Sequence, residues 1–269
     1  MRLYALAVYL FLYLPIAVIA LFSFSAGKSA SSFDGFSTFW YGKALSNPFV
    51  MEALQTSFIV ASTSALLAGL CGTLAALALQ GLSGRPRAIM DGMIYVAVMV
   101  PGIVIGIATL IALVTLFNWL NPLLALLPFA TPPQLALGKG SLIAAHGLFS
   151  LALVIIIVRA RIAGMDRSLI EASADLYATP FGTFRQVTLP QILPGIIAGV
   201  LLSFTFSFDD FIIAFFVAGS ETTLPIYIFA SIRRGVTPEV NAIGAMVMTV
   251  SLTLLITAQA ILQRSRARD

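Results

Sequence analysis

The chain has 269 residues, of which 59% are apolar and 10% charged, with a mean hydropathy of +1.01 and a formal net charge of +4. A water-soluble domain carries about a quarter charged residues, so there is too little polar surface to coat a globule of this size, and lipid must solvate much of it. One cysteine, Cys71, and one histidine, His146, exclude an internal disulfide and leave almost no ligands for a metal site.

About 20 apolar residues are needed to cross the hydrocarbon core as a helix. In chain order, six stretches qualify: Leu3 to Phe22, Ala53 to Leu79, Ile89 to Phe117, Ser141 to Val158, Gly195 to Ala218 and Val240 to Leu262. The expected fold is therefore an all-α membrane protein of about six spans forming one domain over residues 1–269. With both termini cytoplasmic, the inside segments hold Arg2, Arg85, Arg87, Arg159, Arg161, Arg167, Arg185, Arg264, Arg266 and Arg268, and the outside segments hold Lys28, Lys43, Lys139, Arg233 and Arg234. Positive charge accumulates on cytoplasmic loops, so this orientation is the consistent one. The first stretch also admits a reading as a cleaved signal peptide, although its apolar run is long for one. The first outside loop, residues 23–52, gathers Phe33, Phe36, Phe39, Trp40 and Tyr41, and Trp119 opens the next. These rings fit an interfacial belt or a contact for an external partner.

Within the spans, small residues recur four apart: Ala68, Gly72 and Ala76; Gly102 and Gly106; Gly195 and Gly199. That spacing lets helix backbones approach closely. Pro101, inside the third stretch, predicts a kink. Asp209 and Asp210, in Ser207-Phe208-Asp209-Asp210-Phe211, fall about 20 Å into the fifth span at 1.5 Å per residue. Carboxylates at that depth should face a cavity, a partner chain or a cation. A cationic solute is one reading, and pairing with Arg233, Arg234 or another subunit is the other. His146 reads as a buried hydrogen-bonding residue in preference to a proton relay.

The longest inside loop, about residues 159–194, has the pattern of a helix-turn-helix. Ser168-Leu-Ile-Glu171 fits a capping box, with a short helix to about Ala178. Thr179-Pro180 predicts a fresh start; Phe181, Phe184 and Val187 give the second helix an apolar stripe, and Leu189-Pro190 is expected to close it.

The segment from Glu171 to Pro190 resembles the EAA loop of ABC importer permeases. Glu171, Ala172, Val187, Leu189 and Pro190 match in register; Ser173 replaces the second alanine and Tyr177 replaces the motif glycine. Ser207-Phe-Asp-Asp-Phe211, Phe216-Val-Ala-Gly219, Thr223-Leu-Pro225 and Arg233 to Asn241 are similar to the second permease of spermidine/putrescine importers. The resemblance implies the type I importer permease fold in a bacterial inner membrane. It implies a second related permease, two cytoplasmic ATPase subunits and a periplasmic binding protein as partners. Glu171, Ala172, Ser173, Asp175, Leu176, Tyr177 and Ala178, with Leu189 and Pro190, would be the ATPase-coupling residues. Asp209 and Asp210, with Phe208, would line the path of a polyamine or another small cationic or zwitterionic metabolite. No G-x-x-x-x-G-K-[ST] phosphate loop occurs in the chain. ATP and Mg would therefore be held by the ATPase, with no cofactor or catalytic residue here and no nucleic-acid partner. A secondary transporter leaves the docking loop without a purpose, and a membrane scaffold would need no substrate path.

Overall fold

The computed structural model describes residues 2–29, 32–128, 132–166, 168–235 and 237–266, with the side chains of residue 2 and of residues 254–266 outside the description. Of the cytoplasmic charges expected above, Arg167, Arg268 and the side chains of Arg2, Arg264 and Arg266 therefore lie outside it. The elements are α1 (Arg2–Phe22), α2 (Phe39–Ser46), α3 (Pro48–Ala78), α4 (Gly84–Met99), α5 (Gly102–Leu124), α6 (Lys139–Ala163), α7 (Ser168–Asp175), α8 (Pro180–Thr183), α9 (Leu189–Asp209), α10 (Ile212–Val217), α11 (Leu224–Arg234) and α12 (Pro238–Arg266). Helices dominate because lipid cannot satisfy exposed backbone groups. Among the described residues, five helical runs are long and apolar enough to span: Leu3–Phe22, Pro48–Gly81, Gly102–Leu124, Lys139–Ala163 and Pro180–Asp209. The sixth expected span falls in α12, part of which lies outside the described side chains.

Two expected spans are discontinuous. The third breaks at Val100 (ψ 132°) and Pro101 (ψ 138°), both extended, so Pro101 separates α4 from α5 instead of kinking one helix. The residue before a proline is driven out of the α region by the ring, which accounts for the break. The fifth ends at Asp209; Asp210 is extended (ψ 122°), and the short α10 follows. Asp209 and Asp210 thus mark the end of a helix, about 30 Å from its start at 1.5 Å per residue, rather than the middle of one.

The chain divides into two compact units, 1–55 with 224–269, and 56–223. In the first, α12 packs on α1, α2 and α11. Trp40 is buried and donates from Nε1 to the Gly27 carbonyl at 3.0 Å, and Phe24 stacks on Phe36 with centroids 5.0 Å apart. Of the expected aromatic belt, Trp40 is therefore buried in its own loop, while Phe36 and Phe39 remain exposed. Asn47 bridges Tyr227 and Glu239, and Lys43 pairs with Glu239 at 3.5 Å.

In the second unit, α6 is central, packing on α9, α4 and α10. The small-residue spacing acts here as expected. A Cβ on Gly72 would meet the Val154 side chain at 2.8 Å, and one on Gly199 would meet the same valine at 3.5 Å. Gly106 lies against the Ile213 backbone and the Phe216 ring. Arg159 of α6 pairs with Asp91 of α4, and Lys139 with Glu221 at 3.5 Å. Each pair joins residues expected on the same side of the membrane.

Candidate functional site

Two regions of the second unit carry the residues singled out from sequence. The first is the loop between α6 and α9. Its opening differs from the expected capping box: α7 begins at Ser168, and the Ser168 N–H donates to Asp166 Oδ1 at 2.9 Å. The Ser168 hydroxyl and N–H together hold the Asp166 carboxyl below its ordinary value. Asp166, two residues upstream, is the acceptor that the sequence pattern assigned to Ser168.

α7 ends earlier than Ala178. Tyr177 N–H donates to the Ala174 carbonyl at 2.9 Å and Ala178 N–H to the Ser173 carbonyl at 3.1 Å. These two bonds make a Schellman turn, whose C′ residue adopts the left-handed conformation usually given to glycine. That residue is Tyr177, with φ 57°, the one non-glycine residue with positive φ among the described residues. The glycine of the EAA pattern falls at this position, so the demand for it is conformational. A tyrosine here is strained by about 1–2 kcal/mol. Its ring is 96% exposed, with Leu176 at 81% and Phe181 at 71%. Glu171, Ala172, Asp175 and Ala178 are exposed as well, while Ser173 is turned inward and its Oγ meets Thr183 Oγ1 at 2.5 Å, tying α7 to α8.

The Thr179-Pro180 start is as expected: Thr179 Oγ1 accepts from the Gly182 N–H at 3.2 Å, with Pro180 in the first turn. Leu189-Pro190, however, opens α9 instead of closing the loop helix. Helical backbone runs on from Pro180 to Asp209. Residues Phe184–Thr188 form a widened π turn just before Pro190. A wider turn moves the preceding carbonyls away from the proline ring, which would otherwise clash with a regular helix. Leu189 and Pro190 thus stand at the root of the span and Glu171 to Ala178 at the tip of the loop.

The second region lies where α6 meets α9. His146 is 2% exposed, and its Nδ1 lies 2.6 Å from Ser207 Oγ; Ser207 Oγ lies 3.1 Å from Ser64 Oγ, which donates to the Val60 carbonyl at 2.7 Å. On its other side, His146 Nε2 faces Asp210 Oδ2 at 3.5 Å, and Asp210 Oδ2 accepts the Ala214 N–H at 2.9 Å. Within its unit, Asp210 therefore faces His146. Asp209, next in the chain, is exposed and has no hydrogen bond or ion pair among the described residues. Phe208 stacks on Phe204 at 5.7 Å.

A cavity of about 260 Å³ opens against this cluster, lined by Val98, Val100, Gly102, His146, Phe149, Ser150, Phe206, Ser207, Asp210 and Ile213. Both helix breaks border it, through Val100 and Asp210. Irregular backbone at membrane depth is tolerated where it lines a cavity or is buried in protein. His146 is buried and hydrogen-bonded as expected; Ser64, Ser150 and Asp91 were not in the expected site, and nothing near them in sequence marks them.

Comparison with known proteins decides the family. Residues 68–268 match the binding-protein-dependent transport system inner membrane component family. The chain belongs to this family. It is 35% identical over 256 residues to the spermidine/putrescine transport system permease protein PotC of Escherichia coli, covering 95% of this chain and 90% of that one. It is 36% identical over 242 residues to the putrescine transport system permease protein PotI of Escherichia coli, covering 88% and 82%. Among solved structures, a bacterial ABC transporter involved in import of the acidic polysaccharide alginate superposes with a TM-score of 0.75 at 15% identity, covering 98% of this chain and 95% of that one. That likeness establishes the importer permease fold. The chain is an inner-membrane transport subunit and not an enzyme.

Proposed function

We propose that the chain forms half of the translocation path of an ATP-driven importer for a small polycationic amine. The other half is a second, related permease, and a binding protein delivers solute from outside. Two ATPase subunits, holding the ATP and Mg, dock on the tip of the loop, where Glu171, Ala172, Asp175, Leu176, Tyr177 and Ala178 present one small surface. Ser173 positions that tip by tying α7 to α8, and Leu189 and Pro190 transmit its movement at the root of α9.

The observation that carries the coupling half of this reading is the Schellman-closed tip. It leaves Leu176 81% and Tyr177 96% exposed outside the spans, and such apolar patches mark protein contacts. The substrate half rests on the named activities of the relatives and on Asp209 and Asp210, whose charge favours an ammonium ion. Phe208 adds an aromatic neighbour, since cations favour ring faces.

The test is ATP hydrolysis by the reconstituted complex with its binding protein, titrated with putrescine, spermidine and a set of amino-acid derivatives. Stimulation by a polyamine is expected. Stimulation by an amino-acid derivative alone would replace the polyamine with a zwitterionic metabolite, and no stimulation by any would remove the importer reading.

A further inference from the structure

The loop tip hangs from the bundle by two legs. One is the end of α6, which stops at Ala163 and turns at Gly164. The other is the π turn Phe184–Thr188, which leads into α9. Between the legs, the Ser173–Thr183 contact ties α7 to α8 and makes the tip one body.

Both legs are jointed. On the α6 side, residues 164–166 are not helical. On the α9 side, the Leu189 N–H donates five residues back, to the Phe184 carbonyl. Pro190 has no N–H to give to the carbonyls of Arg185 and Gln186 behind it. Helices bend where a proline or a π turn interrupts the ladder in this way.

Just behind both joints the legs are laced together. Arg161, near the end of α6, donates from Nε to the Gln191 carbonyl at 2.8 Å, just past the π turn. The Arg161 side chain crosses α9 at Gly195, where an added Cβ would stand 2.9 Å from Arg161 Cβ and 3.1 Å from its Cγ. Further along the seam, Val158 and Ile192 are fully buried and Gly199 lies against Val154. Gly195 and Gly199 present no side chain to α6, so this face of α9 does little to resist sliding along its own axis.

We propose that Arg161 is a positioning residue for coupling: its bond to Gln191, made across Gly195, locks the roots of α6 and α9 into one yoke. The joints let the tip change its angle with the ATPase without bending the spans. The lace behind them passes the displacement of the tip to both helices together. Without it, α9 slips along α6 and part of each stroke is lost.

This inference rests on the coupling half of the proposed function and deepens it. Its test compares the parent complex with Arg161→Met, which keeps the stem over Gly195 and deletes the donor, and with Arg161→Lys, which restores a donor. Solute accumulated per ATP hydrolysed in proteoliposomes should fall about fivefold in Arg161→Met, as for one net hydrogen bond, and recover to within about twofold in Arg161→Lys. ATPase docking should be unchanged in both, since the tip is intact. Spin labels supply a readout that a merely structural role would not move. With the exposed Cys71 replaced by serine, one label pair is placed at Leu169 and Leu193 and another at Leu148 and Leu193, all four sites being exposed or lipid-facing. In a labelled complex that still hydrolyses ATP, a non-hydrolysable ATP analogue should change the Leu169–Leu193 distance and leave Leu148–Leu193 fixed. In Arg161→Met the second distance should change as well. A parent in which Leu148–Leu193 moves or Leu169–Leu193 does not, an Arg161→Met complex with parental solute per ATP, or an Arg161→Lys complex as impaired as Arg161→Met would overturn the yoke. ATPase docking of Glu171→Ala in the same preparation separates the two failures. If docking depends on Glu171 while the yoke fails, the coupling reading stands; if docking ignores Glu171 too, both fall.

Discussion

The loop tip and the α6–α9 cavity solve opposite problems. At the tip, residues 168–188, nearly every backbone end is closed by a neighbour a few residues away, and the large apolar side chains are left outside. At the cavity, polar side chains are shut in and closed by partners far off in sequence: Ser64 lies 143 residues from Ser207, and His146 lies 61 from it. A surface made for another protein needs only local folding to be ready. An interior polar site needs several helices in register before its partners meet.

The packing beneath the cavity should be the easiest part to break. Gly72→Leu drives a side chain into Val154 and the Leu151 carbonyl, which already lie at 2.8 and 3.3 Å from a modest Cβ. Overpacking of this kind costs about 1–3 kcal/mol or more, and the expected result is a sharply lower yield of folded complex, read by size exclusion in detergent. Glu171→Ala acts on the tip alone. ATPase docking should weaken by about tenfold, as for the loss of a charged hydrogen bond, with the permease fold and yield unchanged. Normal docking would detach the tip from coupling.

Asp209→Asn sharpens the distinction within the acidic pair. Asp209 has no described partner, so removing its charge should leave assembly intact and lower uptake at limiting solute several-fold, about 1 kcal/mol. Unchanged uptake would assign the path to Asp210 alone. Tyr177→Gly relieves the left-handed strain and should raise the thermal midpoint by the equivalent of about 1 kcal/mol. If the exposed ring contributes to docking, coupled ATP hydrolysis falls in the same variant. A destabilised Tyr177→Gly would refute the conformational account of this position.

The smallest effect belongs to Asp166. Its native carboxyl titrates below the ordinary value of 3.8 because Ser168 donates to it. The stabilisation of α7 is therefore present above that ordinary value and lost as pH falls through the lower native one. The protection factors of amides at the start of α7 should be pH-independent above about 5 and identical in parent and Asp166→Ala only in stronger acid. A difference that instead widens with acid would reverse the sign.

This contrast also decides what could be read from sequence. The spans follow from length and apolarity, the Gly72 and Gly199 contacts from spacing, and the Thr179-Pro180 start from local chemistry. The glycine-to-tyrosine departure at 177 was visible, but the left-handed turn it sits in was not, because backbone sign is not written in side-chain type. Pro101 and Asp210 were read within continuous helices because apolarity carries no mark where a helix is interrupted. The burial of His146 was legible, but its partners were not: Ser64 and Ser150 gave no signal, since each is an isolated polar residue in an apolar helix whose meaning depends on a distant neighbour.

The central claim is that ATP hydrolysis on a docked partner drives solute through this chain. Its most direct test is accumulation of labelled putrescine in proteoliposomes containing the whole complex, with binding protein supplied on the outer face and nucleotide on the ATPase face. Accumulation should require hydrolysable ATP, persist when ion gradients are collapsed, and fall with Glu171→Ala. Uptake that proceeds without ATP and follows an imposed ion gradient would contradict the account.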